Sequence, residues 1–143
     1  MTVISDLKFP ILRCNQFHLA CLDEKRVLTE NELWLKNGAY IAGTEFIDSS
    51  GNLYEILSTQ KRRRSYSWMY FGAKNTTWVI DFELNFVGTL SLGEVKDKAL
   101  SLIMKKKWYV QADCSGEVFK KEMLAKDSCE EVYRMISFLE KLQ

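Results

Sequence analysis

Trp78-Val79-Ile80-Asp81-Phe82-Glu83-Leu84-Asn85-Phe86 places a large apolar side chain at every even position, and the odd positions from 81 to 85 are polar. Successive side chains on a strand point to opposite faces, so this stretch makes one apolar face and one polar face. A strand of that kind belongs to an antiparallel sheet packed on one side. The reading predicts a central strand over 77–87, with Trp78, Ile80, Phe82, Leu84 and Phe86 buried under helices. It leaves the face of Asp81 and Glu83 open to solvent or a partner.

Upstream, strands are expected at about 39–47 and 52–59. Asp48-Ser49-Ser50-Gly51-Asn52 joins them with residues that accept positive φ or bond their own backbone, the chemistry of a hairpin. Pro10 lacks an amide hydrogen, so any strand beside it begins after it. Thr29 precedes Glu32 by three residues, and Leu33, Trp34, Leu35 and Gly38 follow; this reads as a capped helical turn. The basic run Lys61-Arg62-Arg63-Arg64 interrupts the strand pattern and reads as a solvated loop. Tyr66, Trp68 and Tyr70 come next at strand spacing, which sets them on one face, and Gly72-Ala73-Lys74-Asn75 reads as a second turn.

After Gly88 the period changes. Ser91-Leu92-Gly93-Glu94 is a capping box, and Val95, Ala99, Leu102 and Ile103 recur at helical spacing. Lys105, Lys106 and Lys107 close that helix, where cations suit the negative end of its dipole. A second helix is expected over about 115–125, with Val118, Phe119 and Met123 on one face. Ser128-Cys129-Glu130-Glu131 opens a third, whose apolar stripe is Val132, Met135, Ile136 and Leu139. Strands first and helices last predict an α+β fold. Its antiparallel sheet is built from the N-terminal two-thirds and packed by C-terminal helices.

The chain of 143 residues suits a single domain spanning 1–143, large enough to bury a core without a metal or disulfide staple. Its one proline and seven glycines argue against a disordered chain. A formal net charge of +1 weighs against a nucleic-acid-binding domain, which usually carries a basic excess. Cys14, Cys21, Cys114 and Cys129 form no Cys-x-x-Cys pair, and His18 is the single histidine, so a zinc site is not expected. The cysteines read as small buried hydrophobes. No signal peptide is expected from the first residues, and no apolar run is long enough for a membrane span. A cytoplasmic protein without cofactor or metal is expected.

No motif carries catalytic chemistry. A Cys–His pair around His18 would need spatial geometry that sequence proximity does not supply. Asp81 and Glu83, two apart on a strand, stand at a separation that acid–base carboxylates also use, as on any polar strand face. Gly38, Gly43 and Gly51 fit no phosphate-binding fingerprint. The basic run beside aromatic residues admits three readings: a solvated loop, a site for an acidic protein partner, or a single-stranded nucleic-acid site.

The layout resembles the small cytosolic immunity proteins of bacterial polymorphic toxin systems, including those of contact-dependent inhibition. The resemblance rests on the hairpin Phe46-Ile47-Asp48-Ser49-Ser50-Gly51-Asn52-Leu53-Tyr54 and on the C-terminal half from Leu90. There Ser91-Leu92-Gly93-Glu94-Val95 opens a helix, Trp108 follows its lysines, and Ser128-Cys129-Glu130-Glu131-Val132 opens the last helix. It is a similarity of element order across most of the chain. Such proteins bind one cognate toxin domain and block it, usually without chemistry of their own. Many that oppose nucleases are strongly acidic, and this chain is not. The resemblance implies a toxin-binding inhibitor that is not an enzyme. It supplies no binding residue; the basic-aromatic segment and the polar face of the alternating strand give those expected to meet the partner, Arg62, Arg63, Arg64, Tyr66, Trp68, Asp81 and Glu83. The alternative is a nucleic-acid-binding module using segment 61–70.

Overall fold

The computed structural model describes residues 2–22, 28–29, 41–68 and 74–137. Over 58–68 and 74–81 the description is of the backbone. The fold is α+β, as the sequence predicts, with an antiparallel sheet followed by helices.

The strands are β1 (Thr2–Val3), β2 (Ile11–Cys14), β3 (Leu19–Leu22), β4 (Leu28–Thr29), β5 (Glu45–Ile47), β6 (Asn52–Trp68) and β7 (Lys74–Thr89). They lie in the order β1-β7-β6-β5-β2-β3, and β4 joins β7 beside β1. All of these pairings are antiparallel. β2 starts directly after Pro10, which has no amide hydrogen to give to a ladder.

The expected hairpin joins β5 to β6. Its chemistry centres on the Asp48 carboxylate, which accepts from the Ser50 and Asn52 amides, each at 2.9 Å, and from Asn52 Nδ2 at 3.0 Å. Gly51 has φ +88, and a Cβ there would collide with the Leu90 carbonyl oxygen. The Leu90 amide also donates to the Gly51 oxygen at 2.8 Å, which locks the hairpin to the end of β7. Gly51→Ala is therefore expected to lose at least ~1–2 kcal/mol from the positive φ alone, with displacement of Leu90 added. Urea denaturation measures the loss; a midpoint equal to wild type would refute this account of the turn.

Three helices follow: α1 (Leu92–Lys106), α2 (Gly116–Leu124) and α3 (Cys129–Met135), with a 3-10 turn at Trp108–Ala112. α1 opens with the predicted capping box in both directions, Glu94 amide to Ser91 Oγ and Ser91 amide to Glu94 Oε1. It ends at Lys107 in the left-handed region. α3 uses a variant. Ser128 Oγ accepts from the Glu131 amide, but the Glu131 carboxylate reaches one residue further back, to the Asp127 amide. Lys96 of α1 is buried, and its ammonium donates to the carbonyls of Leu124 at 2.9 Å and Lys126 at 2.5 Å. The first is the carbonyl of the last residue of α2 and the second lies two residues beyond it, where a cation suits the negative end of the helix dipole.

Both faces of the sheet are packed. On one side Leu12, Cys14, Leu19, Cys21, Ile47 and Leu53 meet Val95, Ala99, Ile103, Phe119, Met123, Val132, Tyr133 and Ile136 from the helices. Tyr133 extends its hydroxyl to the Asp48 carbonyl at 3.0 Å, tying α3 to the hairpin. On the other side Ile11, Leu22, Phe46, Ile56, Phe82 and Leu84 pack with Ile4 and Leu7 of the N-terminal segment.

Several expectations need correction. Phe82 and Leu84 are buried, but against the N-terminal segment on the face away from the helices, and Phe86 is 55% exposed. β7 lies inside the sheet but near one side of it, with β6 on one flank and only the two-residue strands β1 and β4 on the other. The side chains of Trp78 and Ile80 lie outside the description. The basic run is not a loop, since β6 continues through it to Trp68, and β7 already starts at Lys74, a residue assigned to a turn. Thr29 is not a helix cap but part of β4, opposite Val79; the rest of that expected helical turn lies outside the described residues. In α2, Phe119 and Met123 are buried as expected, whereas Val118 is exposed. Cys14 and Cys21 are buried, while Cys114 and Cys129 are partly accessible.

Candidate partner-binding surface

The ladder between β6 and β7 runs from Asn52↔Thr89 to Trp68↔Lys74. β5 accompanies β6 only as far as Glu55, and β4 reaches β7 only at Val79 and Ile80. Beyond those points the two strands continue as a ribbon with no further strand beside it among the described residues. The paired segment from Gln60 to Trp68 spans about 25–30 Å at the rise of an extended strand; at Arg62 and Arg63 it still has β4 on the far side of β7, and from Arg64↔Trp78 onward it has neither neighbour.

The ribbon carries most of the residues expected at a binding surface. Arg62, Arg63 and Arg64 stand opposite Ile80, Val79 and Trp78, and Tyr66 and Trp68 stand opposite Thr76 and Lys74. Asp81 belongs to the same ribbon, opposite Lys61. Glu83 does not. It lies at the ribbon's base, half-buried, as the register partner of Val3 in β1. Tyr70 lies outside the described residues. Asp81 stands across from the basic run, and Glu83, two residues on along the same strand, stands beside β1.

At the base the register slips. Ile56 pairs with Leu84 and Gln60 with Phe82, so β6 has two more residues than β7 in that interval. A bulge of this kind increases local twist and turns the strand beyond it away from the sheet. Leu57 in the bulge is exposed, as are Phe86 and Val87 nearby. Tyr54 and Phe86 meet edge to face, with ring centroids 5.6 Å apart. Sequence reading missed these apolar positions. Phe86 shares the alternation of Phe82 and Leu84, so the pattern alone puts it with the core. Its exposure follows from where the N-terminal segment stops, which the pattern does not encode.

Of the two buried thiols that flank His18 in sequence, Cys14 and Cys21, the first is poorly suited to nucleophilic chemistry. Cys14 is buried, and its pKa is pushed up to about 12, mainly by burial and then by the charge of Glu45; Lys98 acts in the opposite direction. A nucleophilic cysteine needs the reverse. Glu45 and Lys98 form an ion pair at 2.7 Å across β5 and α1. Burial draws the Lys98 pKa down, but its hydrogen bond to Glu45 and that carboxylate's charge outweigh burial, and the net shift is upward. The Cys14 shift has a consequence for stability. Unfolded, the thiol titrates near 9.0. Between there and about 12 the folded chain keeps a proton that the unfolded chain loses. The contribution is therefore complete below pH 9 and falls as pH rises toward 12. Its slope is at most about 1.4 kcal/mol per pH unit. Urea midpoints over pH 8–10.5 should fall less steeply in Cys14→Ala than in wild type; equal slopes would refute the assignment.

Among the described residues no cluster of three or more His, Cys, Asp or Glu could hold a metal ion. No described helix is long and apolar enough to cross a membrane. In comparisons with known proteins, the chain matches no family model, no curated protein and no solved structure.

Proposed function

We propose that this chain is a non-catalytic immunity protein that neutralises a cognate bacterial toxin domain in the cytoplasm by covering a surface the toxin needs. The observation that carries this reading is the β6–β7 ribbon. It gathers Arg62, Arg63, Arg64, Tyr66, Trp68 and Asp81 onto two paired strands, of which β6 runs past β5 and, from Arg64↔Trp78 onward, both run past β4 as well. Arginine and aromatic residues supply most binding hot spots, and an ordinary protein interface needs about 800 Å² from each partner. The exposed Leu57 and Phe86 at the ribbon's base add apolar surface. The sign of the run selects a toxin surface rich in carboxylates.

The test is coexpression in bacteria with the toxin domain encoded beside this chain's gene. Protection from killing and a stoichiometric complex on gel filtration are expected. No protection and no complex would overturn the proposal.

Replacing Arg62, Arg63 and Arg64 with Ser should slow association and weaken its salt dependence, because peripheral charges act mainly on encounter. Fold stability should stay within about 0.5 kcal/mol of wild type. The same variant tests the nucleic-acid alternative. If the ribbon held a single strand through three phosphates, the logarithmic salt slope would flatten by about two. Absence of oligonucleotide binding at low salt removes that alternative.

A further inference from the structure

The two edges of β6 differ. One is paired with β7 from Asn52↔Thr89 down to Trp68↔Lys74, interrupted by the bulge between Ile56 and Gln60. The other is paired with β5 at Leu53, Tyr54 and Glu55, and the Ile56 amide still donates to the Thr44 carbonyl at 2.9 Å. Past that bond no strand lies along this edge among the described residues. An open edge is a row of amide and carbonyl groups able to template another strand.

The direction of those groups follows from the register. The Ile56 amide points away from β7. Backbone groups alternate in direction along a strand, and both Ile56↔Leu84 and Gln60↔Phe82 join even positions, so the alternation resumes in phase after the bulge. Arg62, Arg64, Tyr66 and Trp68 then present their amides and carbonyls to the open edge, and Lys61, Arg63 and Ser65 direct theirs to β7.

We infer that the outer edge of β6, from Arg62 to Trp68, is a strand-addition site whose occupant is an extended, acidic segment of a partner protein. This rests on the reading of the ribbon as a partner-binding surface and specifies how the partner is held. The charge of the edge selects the occupant. A second copy pairing β6 with β6 across Lys61–Arg64 would set cations opposite cations, which destabilises a ladder. An acidic strand places opposite charges there. Main-chain bonds supply the affinity in this mode, and alternate side chains supply the choice of sequence.

The probe is a blocked nine-residue peptide alternating Glu and Val, with a peptide of equal charge interrupted by proline as its control. The full chain should bind the first saturably at low salt and the second at least about tenfold more weakly, because proline cannot join the ladder. In the protein, Arg64→Pro removes one amide from the open edge and none from the β7 ladder. It should weaken binding by about tenfold, whereas Arg64→Ser should weaken it by less than about threefold. Independently of any variant, hydrogen exchange should show the amides of Arg62, Arg64 and Tyr66 becoming protected when the peptide is added.

Equal binding of the two peptides, or no protection of those amides, overturns strand addition. Absence of saturable binding by the Glu–Val peptide does the same. A wild-type dimer that Arg64→Pro dissociates would assign the edge to a second copy instead. Normal peptide binding by Arg64→Pro with loss in the triple-Ser variant rejects strand addition while leaving the ribbon as a partner surface. If the triple-Ser variant also retains normal association with the coexpressed toxin domain, the ribbon reading itself fails.

Discussion

Deleting residues 128–143 should leave a chain with no cooperative unfolding transition. The deletion removes Val132, Tyr133 and Ile136, each fully buried against the helix-side core. Burial of a large apolar side chain is worth ~1.5–3 kcal/mol, so the three together approach the 5–15 kcal/mol total stability of a typical domain. The deletion also removes the Tyr133 hydroxyl from the Asp48 carbonyl, leaving a polar group of the hairpin turn without that donor. Val95, Ile103, Phe119 and Met123 would lose their cover on that side. Thermal melting by circular dichroism, with a dye that reports exposed apolar surface, measures the outcome. A truncated chain that melts like wild type would show that α3 is dispensable.

Phe82→Ala should lower stability by about 3–5 kcal/mol, and Phe86→Ala by less than about 1 kcal/mol. The two residues share one alternation in β7, yet Phe82 is 3% exposed and Phe86 55%. Phe82 sits among Ile4, Leu7, Ile56 and Leu84, so truncation leaves a cavity lined by apolar groups. Phe86 keeps an edge-to-face contact with Tyr54 and otherwise meets solvent. Urea denaturation of both variants decides the matter. Equal losses would mean that the apolar face of β7 is covered evenly along its length, contrary to the packing described.

The candidate site was legible in composition but not in arrangement. Arg62, Arg63, Arg64, Tyr66 and Trp68 stand out in the sequence as cations beside aromatic residues. A run of four cations contains no apolar alternation, so it reads as a break between strands. It forms part of a strand because β7 satisfies its backbone, a benefit that depends on residues 74–81 and on nothing local to the run. Asp81 joins the site through the same register, and Glu83, two residues on along β7, falls opposite the bulge of β6.

What the sequence determined by itself was set by interactions over a few residues. Ser91 and Glu94 cap α1, Ser128 caps α3, and Asp48 with Gly51 turns the hairpin, in each case through partners within four positions. The alternation at 80–86 likewise determined a strand with two unlike faces. Tertiary structure decided which layer covers which face. Helices and the N-terminal segment both offer apolar surface, and a strand's periodicity is the same beneath either. The helices settle over β2, β3 and β5, where Leu12, Leu19, Cys21 and Ile47 provide a continuous apolar floor. The polar positions Glu45, Glu55 and Asn85 lie on that same side, so the apolar face of β7 is left to Ile4 and Leu7.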